Sequence, residues 1–326
     1  MEFKYDTLPD FISWKVNGVP YAKPMDFMKK GIKVEKFDYT FTKPEHTTPC
    51  KSFREECIEA AKLLPDTTLA IPVSGSDSEI VARAAKMAGK DAVIYYEDYG
   101  YPKQEEYKKI SKKIADELGY KWVCHTATYL DTLERMQYWT EKIGVYCRGW
   151  YINYGLLDKI PSNQFIVVGL GELEKDGVEH RYCSEKFLGP DWDKTGEIVH
   201  FFTDVMCRIY AEERKKKGQY YFFSSTWNLN KSMFTHPLLN YGKNNTGVCS
   251  TMEMKFAEWP ELLYREKTDN YGNQSRHLKV NTQTMIWNDQ RFTIIEQKVN
   301  KKYPKALWPK NRLGFFATIN KNYFYD

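Results

Sequence analysis

Residues 67–89 read TTLAIPVSGSDSEIVARAAKMAG. Leu69, Ala70, Ile71 and Val73 form a short aliphatic, β-branched run, and Ile80, Val81, Ala84, Ala85 and Ala88 then recur at helical spacing. The predicted order is strand, tight loop, helix. Small residues at such a junction let backbone N–H groups approach a phosphate, and the first helical turn adds unpaired donors and a partial positive charge. Ser74, Ser76 and Ser78 supply hydroxyls, and Asp77 is placed to hold a magnesium ion that bridges phosphates. A turn with a simple N-cap is the alternative reading of the same residues.

Working outward, Ser52-x-x-Glu55 is a capping box, and Phe53, Cys57, Ala61 and Leu64 follow at helical spacing. Pro65-Asp66 closes that helix, Pro72 ends the strand ladder just before the loop, and Gly89 stops the next helix. A second strand is predicted over 92–96, ending in Glu97 and Asp98, then a helix over 103–118 (Tyr107, Ile110, Ile114, Leu118) closed by Gly119, then a third strand over 121–125. FIVVGL at 165–170 reads as a buried strand that runs into GLGELEKDG. Strands alternating with helices of this length predict an α/β fold: a doubly wound, mainly parallel sheet with helices on both faces. Ligands of such sheets sit at the carboxyl ends of strands, which puts the 74–78 loop, Glu97, Asp98 and His125 on one rim.

The SGSDS loop resembles the pyrophosphate-binding loop of the PP-loop ATP pyrophosphatases, S-G-G-x-D-S, and is closest to the synthetase domain of asparagine synthetases. It is one residue shorter than that pattern. Aligned from the right, Asp77 and Ser78 match Asp-Ser, Gly75 the second Gly, and Val73 stands where Ser is expected; aligned from the left, Ser74 and Gly75 match. The resemblance covers roughly residues 50–175. It implies a HUP-like fold that binds ATP and Mg2+, with nucleotide contacts from Val73, Ser74, Gly75, Ser76, Asp77, Ser78 and Asp98. A glycine-rich acidic turn beside the loop is implied at Gly169, Gly171, Glu172 and Glu174, with Asp77, Glu172 and Glu174 as metal ligands. Catalysis would rest on Asp77, Glu172 and a cation taken from Lys243, Lys255 and Lys267, with Lys243 and Lys267 carried forward as site residues. Asp77→Asn is expected to abolish ATP–pyrophosphate exchange and leave the fold intact.

The 326 residues carry 48 basic and 43 acidic side chains, a net charge of +5, too mild to indicate nucleic acid. Aromatics reach 16% and thicken after residue 137, where most would pack a core. The seven cysteines, at 50, 57, 124, 147, 183, 207 and 249, contain no C-x-x-C pair, so a structural zinc site is not expected and a reducing compartment is. MEFKYDTLPDF lacks a signal-peptide core, and no apolar run approaches the ~18 residues of a membrane span, so the expected location is cytoplasmic with no membrane partner. With Glu2 after Met1, no N-terminal cysteine nucleophile is expected, and in an amide-forming enzyme nitrogen would come as ammonia or an amine.

The expected organisation is an N-terminal cap over 1–50, the α/β domain over 51–240 and a C-terminal substrate or interaction region over 241–326. Helices are predicted near 129–160 and 197–210, the latter ending in Arg214-Lys215-Lys216-Lys217, and over 253–267 with a break at Pro260. The leading expectation is an adenylating enzyme that activates a carboxylate or carbonyl oxygen of a small-molecule or nucleobase substrate. Two rivals stand beside it. One is thiolation or amidation of RNA, using Cys124 beside His125, or Cys183; the lysine–aromatic tail over 298–326 is its only nucleic-acid signal. The other is a nucleotide-binding relative without turnover.

Overall fold

The structure is a computed structural model. It describes residues 12–21, 37–41, 43–98, 104–127, 156–169, 217–219, 222–240, 250–265 and 316–317. In chain order the strands are β1 (Ile12–Val16), β2 (Val19–Pro20), β3 (Phe37–Phe41), β4 (Leu69–Pro72), β5 (Ala92–Asp98), β6 (Lys121–Thr126), β7 (Phe165–Val167), β8 (Gly218–Gln219) and β9 (Phe316–Ala317). The α-helices are α1 (Phe53–Lys62), α2 (Ser76–Met87), α3 (Gln104–Leu118), α4 (Trp227–Phe234) and α5 (Ser250–Glu258). The helix expected near 129–160 is described only from residue 156, where 156–159 are helical, and the one expected over 197–210 lies outside the described residues.

Among the described residues, five strands form one sheet in the order β6-β5-β4-β7-β8, and every neighbouring pair is parallel. The chain steps outward from β4 through β5 to β6 and then returns to the other side of β4 as β7. The connection therefore reverses between β4 and β7, where α/β sheets open a crevice at the carboxyl ends of strands. Pro72 falls at the end of the central strand. The amides of Leu69 and Val73 face β5, donating to Asp91 O and Tyr95 O, so the amide at position 72 would face β7. Proline has none to give, and the β4–β7 register stops at Ala70 with Ile166.

Both faces of this sheet are covered. Leu69, Ile71, Val73, Ala92, Ile94, Phe165 and Val167 join one apolar cluster with the helices, whereas Ala70, Val93, Tyr95 and Ile166 point the other way and are also buried. The pattern of α2 predicts one apolar face, but the helix is buried almost all round from Ile80 to Ala85, because α1, α3 and a 3-10 turn at Leu263–Arg265 pack against it. The expected caps are present: Ser52 and Glu55 form the capping box of α1, and Gly89 and Gly119 end α2 and α3 with φ of 74° and 67°. Met254, Trp259, Leu262 and Tyr264, from the region beyond residue 240, belong to the same core as α1 and α2.

The remaining described strands form a sheet ordered β2-β1-β3-β9. Asn17 and Gly18, with φ of 53° and 82°, join β1 to β2 by a two-residue turn, the geometry that favours Asn-Gly in hairpins. β9 pairs in parallel with β3, so residues 38–39 and 316–317 of the chain lie side by side. Among the described residues no helix is long and apolar enough to cross a membrane.

Candidate functional site

The loop between β4 and α2 is drawn in on itself by one hydroxyl. Ser78 Oγ accepts the N–H groups of Ser74 (3.0 Å) and Gly75 (3.2 Å) and donates to Gly75 O (2.9 Å). The first bond of the helix proper runs from Glu79 N–H to Gly75 O at 3.0 Å, so the amides of residues 76–78 stand upstream of the ladder, at the positive end of a 12-residue helix. Gly75 is extended and a Cβ there would meet open space, so its role is to leave the approach to that turn clear. Ser78→Ala removes all three bonds. We expect a loss of about 1–2 kcal/mol, the scale of a lost cap, read as a lower denaturant midpoint at unchanged slope.

Two distant segments meet this turn. At the end of β7, a Cβ on Gly169 would lie 2.9 Å from both C and O of Asp77 and 3.0 Å from Ser78 N. Only glycine admits such an approach. From α5, Lys255 Nζ reaches Asp77 Oδ1 at 2.5 Å. The lysine side chain is 1% exposed and the aspartate 37%. An ammonium so buried needs a counter-charge, and Asp77 supplies it, while the Phe223 ring lies 5.7 Å from the same nitrogen. Lys255, among the three lysines the sequence offers for the cation, is brought to the loop by the fold; Lys243 and Lys267 lie outside the described residues.

Two residues further along α2, Glu79 is fully buried. Its carboxylate accepts Leu263 N–H (2.9 and 3.0 Å), Tyr264 N–H (2.9 Å) and Arg83 Nε (2.8 Å). Burial pushes the Glu79 carboxyl upward, against the lowering by those two amides and by Arg83. The helical periodicity of residues 80–88 gave no reason to single out Glu79. The signal was chemical, a carboxylate next to the apolar face two residues beyond the loop aspartate.

Asp98 ends β5 on the expected rim, but its carboxylate is paired with Lys108 Nζ at 2.8 Å, and its carbonyl accepts the Ala127 amide. No bond joins it to Asp77. Across the rim, His125 stacks on Tyr95 (6.0 Å between centroids, 9° between planes), and Tyr95 Oη donates to Gln164. Burial holds the His125 pKa down, with Lys159 adding to the effect, so the ring favours its neutral form. The Cys124 thiol is pushed up, first by burial, the opposite of what activates a thiolate nucleophile.

No family model matches this chain, and no curated protein matches it. The site therefore rests on its own geometry. Val73, Ser74, Gly75, Ser76, Asp77, Ser78 and Gly169 are brought together, with Lys255 added; Gly171, Glu172, Glu174 and Cys183 lie outside the described residues. Among the described residues no group of three or more histidine, cysteine or carboxylate side chains is placed to hold a metal ion. Asp77 alone of the expected ligand set is described, and one of its oxygens is bonded to Lys255.

Proposed function

We infer that this chain is an ATP-dependent adenylating enzyme of the PP-loop type, with a doubly wound, HUP-like sheet. The observation that carries the reading is the meeting of three separate segments at one helical turn: the loop aspartate, a buried lysine from α5 and the close-packed glycine ending β7. The turn at Ser76–Ser78 would receive the polyphosphate through backbone amides and the helix dipole. Asp77 would hold Mg2+, which neutralises charge on the leaving pyrophosphate when bound. Lys255 supplies a fixed positive charge from a water-poor position, where a charge acts more strongly than in solvent. A carboxylate or carbonyl oxygen of the substrate attacks the α-phosphorus, pyrophosphate leaves, and an amine, ammonia or sulfur nucleophile then displaces AMP.

The test is ATP–pyrophosphate exchange with magnesium, run against separate pools of amino acids, nucleosides and RNA. Exchange dependent on one pool is the expected result, and it identifies the substrate class. Asp77→Asn should abolish it. ATP binding by calorimetry with no exchange in any pool would instead support the binding relative without turnover, which the self-bonded Ser74 and Gly75 amides favour.

A further inference from the structure

We propose that Glu79 is a positioning residue that holds Lys255 against Asp77. The proposal rests on the reading of Lys255 as the cation of the site for its catalytic consequence, and on geometry alone for the positioning.

Glu79 and Asp77 are two residues apart on α2, about 200° around a helix, so one carboxylate looks into the core and the other towards the loop. Both are joined to the same downstream segment. Asp77 takes the side chain of Lys255, and Glu79 takes the backbone amides of Leu263 and Tyr264. Between those two anchors the chain is tied by its own hydrogen bonds: Trp259 N–H to Lys255 O at 2.8 Å and Leu262 N–H to Trp259 O at 3.2 Å. Trp259 and Leu262 are buried, so the span from 255 to 264 is a packed strut with each end fixed to the first turns of α2. Arg83 lies on the far side of Glu79, 2.7 Å from it and 3.0 Å from Glu117, and keeps the buried carboxylate paired.

A core that needed only stability would do as well with an apolar residue at this position, since burying a carboxylate and an arginine is costly and apolar replacements of such pairs are often neutral or better. An apolar side chain cannot accept two amides. What the carboxylate adds is register: it fixes where the strut begins and ends, and so the depth to which Lys255 reaches.

The experiment is acetylation of the folded full chain with an N-hydroxysuccinimide ester, read lysine by lysine by peptide mass spectrometry. In the unaltered protein Lys255 should be protected, while Lys51 and Lys113, with side chains 51% and 64% exposed, react freely. In Glu79→Gln, Lys255 labelling should rise about tenfold or more through local opening of the strut, with Lys51 and Lys113 unchanged. Tyr95→Phe, which removes the bond to Gln164 on the other face of the sheet, controls for general destabilisation and should leave Lys255 protected. Where Glu79→Gln does not fold, the paired change Glu79→Met with Arg83→Met removes both charges and both amide acceptances, and Lys255 should again become reactive. Protection of Lys255 in either folded variant overturns the proposal. In a protein that shows exchange, Glu79→Gln should lower kcat about ten- to a hundredfold and move KM for ATP less than about twofold. Equal loss in both parameters overturns the positioning role. Absence of exchange in the unaltered chain counts against the adenylation reading and leaves the labelling result to decide Glu79.

Discussion

Gly169→Ala is expected to lower stability by about 3 kcal/mol, at the upper end of what overpacking costs, and to weaken nucleotide binding with it. The added methyl would stand 2.9 Å from the carbonyl carbon and oxygen of Asp77 and 3.0 Å from the Ser78 nitrogen. These are backbone atoms of the first turn of α2, so no rotamer change relieves the contact. Either β7 or the helix terminus must move, and the helix terminus carries the loop. Val167 and Ile166, just upstream, are buried in a parallel sheet, so the strand has little freedom to yield. A thermal melt should show the midpoint falling by roughly 4–5 °C for a chain of 326 residues, at about 2.1 cal/mol/K of unfolding entropy per residue. A melting temperature equal to that of the unaltered protein would mean that β7 and α2 do not approach as described.

Stability and activity should respond in different order to the two halves of the Asp77–Lys255 pair. Asp77→Asn leaves an ammonium only 1% exposed facing a neutral amide, and we expect a cost of about 2–3 kcal/mol, somewhat below that of breaking a fully buried pair because asparagine can still accept one bond. The fold should survive, but not untouched as the sequence alone suggested. Lys255→Met leaves a carboxylate that is 37% exposed and can return to water, so its cost should stay below about 1 kcal/mol. Combining the two should recover most of the loss in Asp77→Asn, a coupling that denaturant titration of the four proteins measures directly. Exchange activity should follow another pattern: abolished in Asp77→Asn and reduced about a hundred- to a thousandfold in Lys255→Met. Equal stability losses in the two single variants would show that the lysine is not the buried partner.

The frame of the site was readable because it is local. Leu69 to Gly89 carries strand, loop, helix and stop signal in sequence order, and Ser52, Glu55, Pro72, Gly89 and Gly119 each act where their chemistry predicts. Hairpin chemistry at Asn17-Gly18 was present too, inside a stretch that otherwise lacks periodicity. What could not be read is what arrives from far along the chain. Lys255 is 178 residues from Asp77, and nothing in its neighbourhood separates it from Lys243 or Lys267. The Glu79 contacts to 263 and 264 span 184 and 185 residues. Asp98 illustrates a third case, since its partner Lys108 lies only ten residues on; a rim carboxylate followed one helical turn into the next helix by a lysine is as well explained by a local ion pair as by a ligand.

The strut has a consequence for how the protein is made. A ribosome exports the loop, β5 and β6 long before residue 255, so the nascent chain holds Asp77 without its ammonium and Glu79 without its two amides. Through that interval the first turn of α2 is assembled from one end only, and its buried carboxylate is left with Arg83. On the adenylation reading, competence to engage a nucleotide should therefore appear late, when the segment to Tyr264 has emerged, rather than when the α/β core first forms.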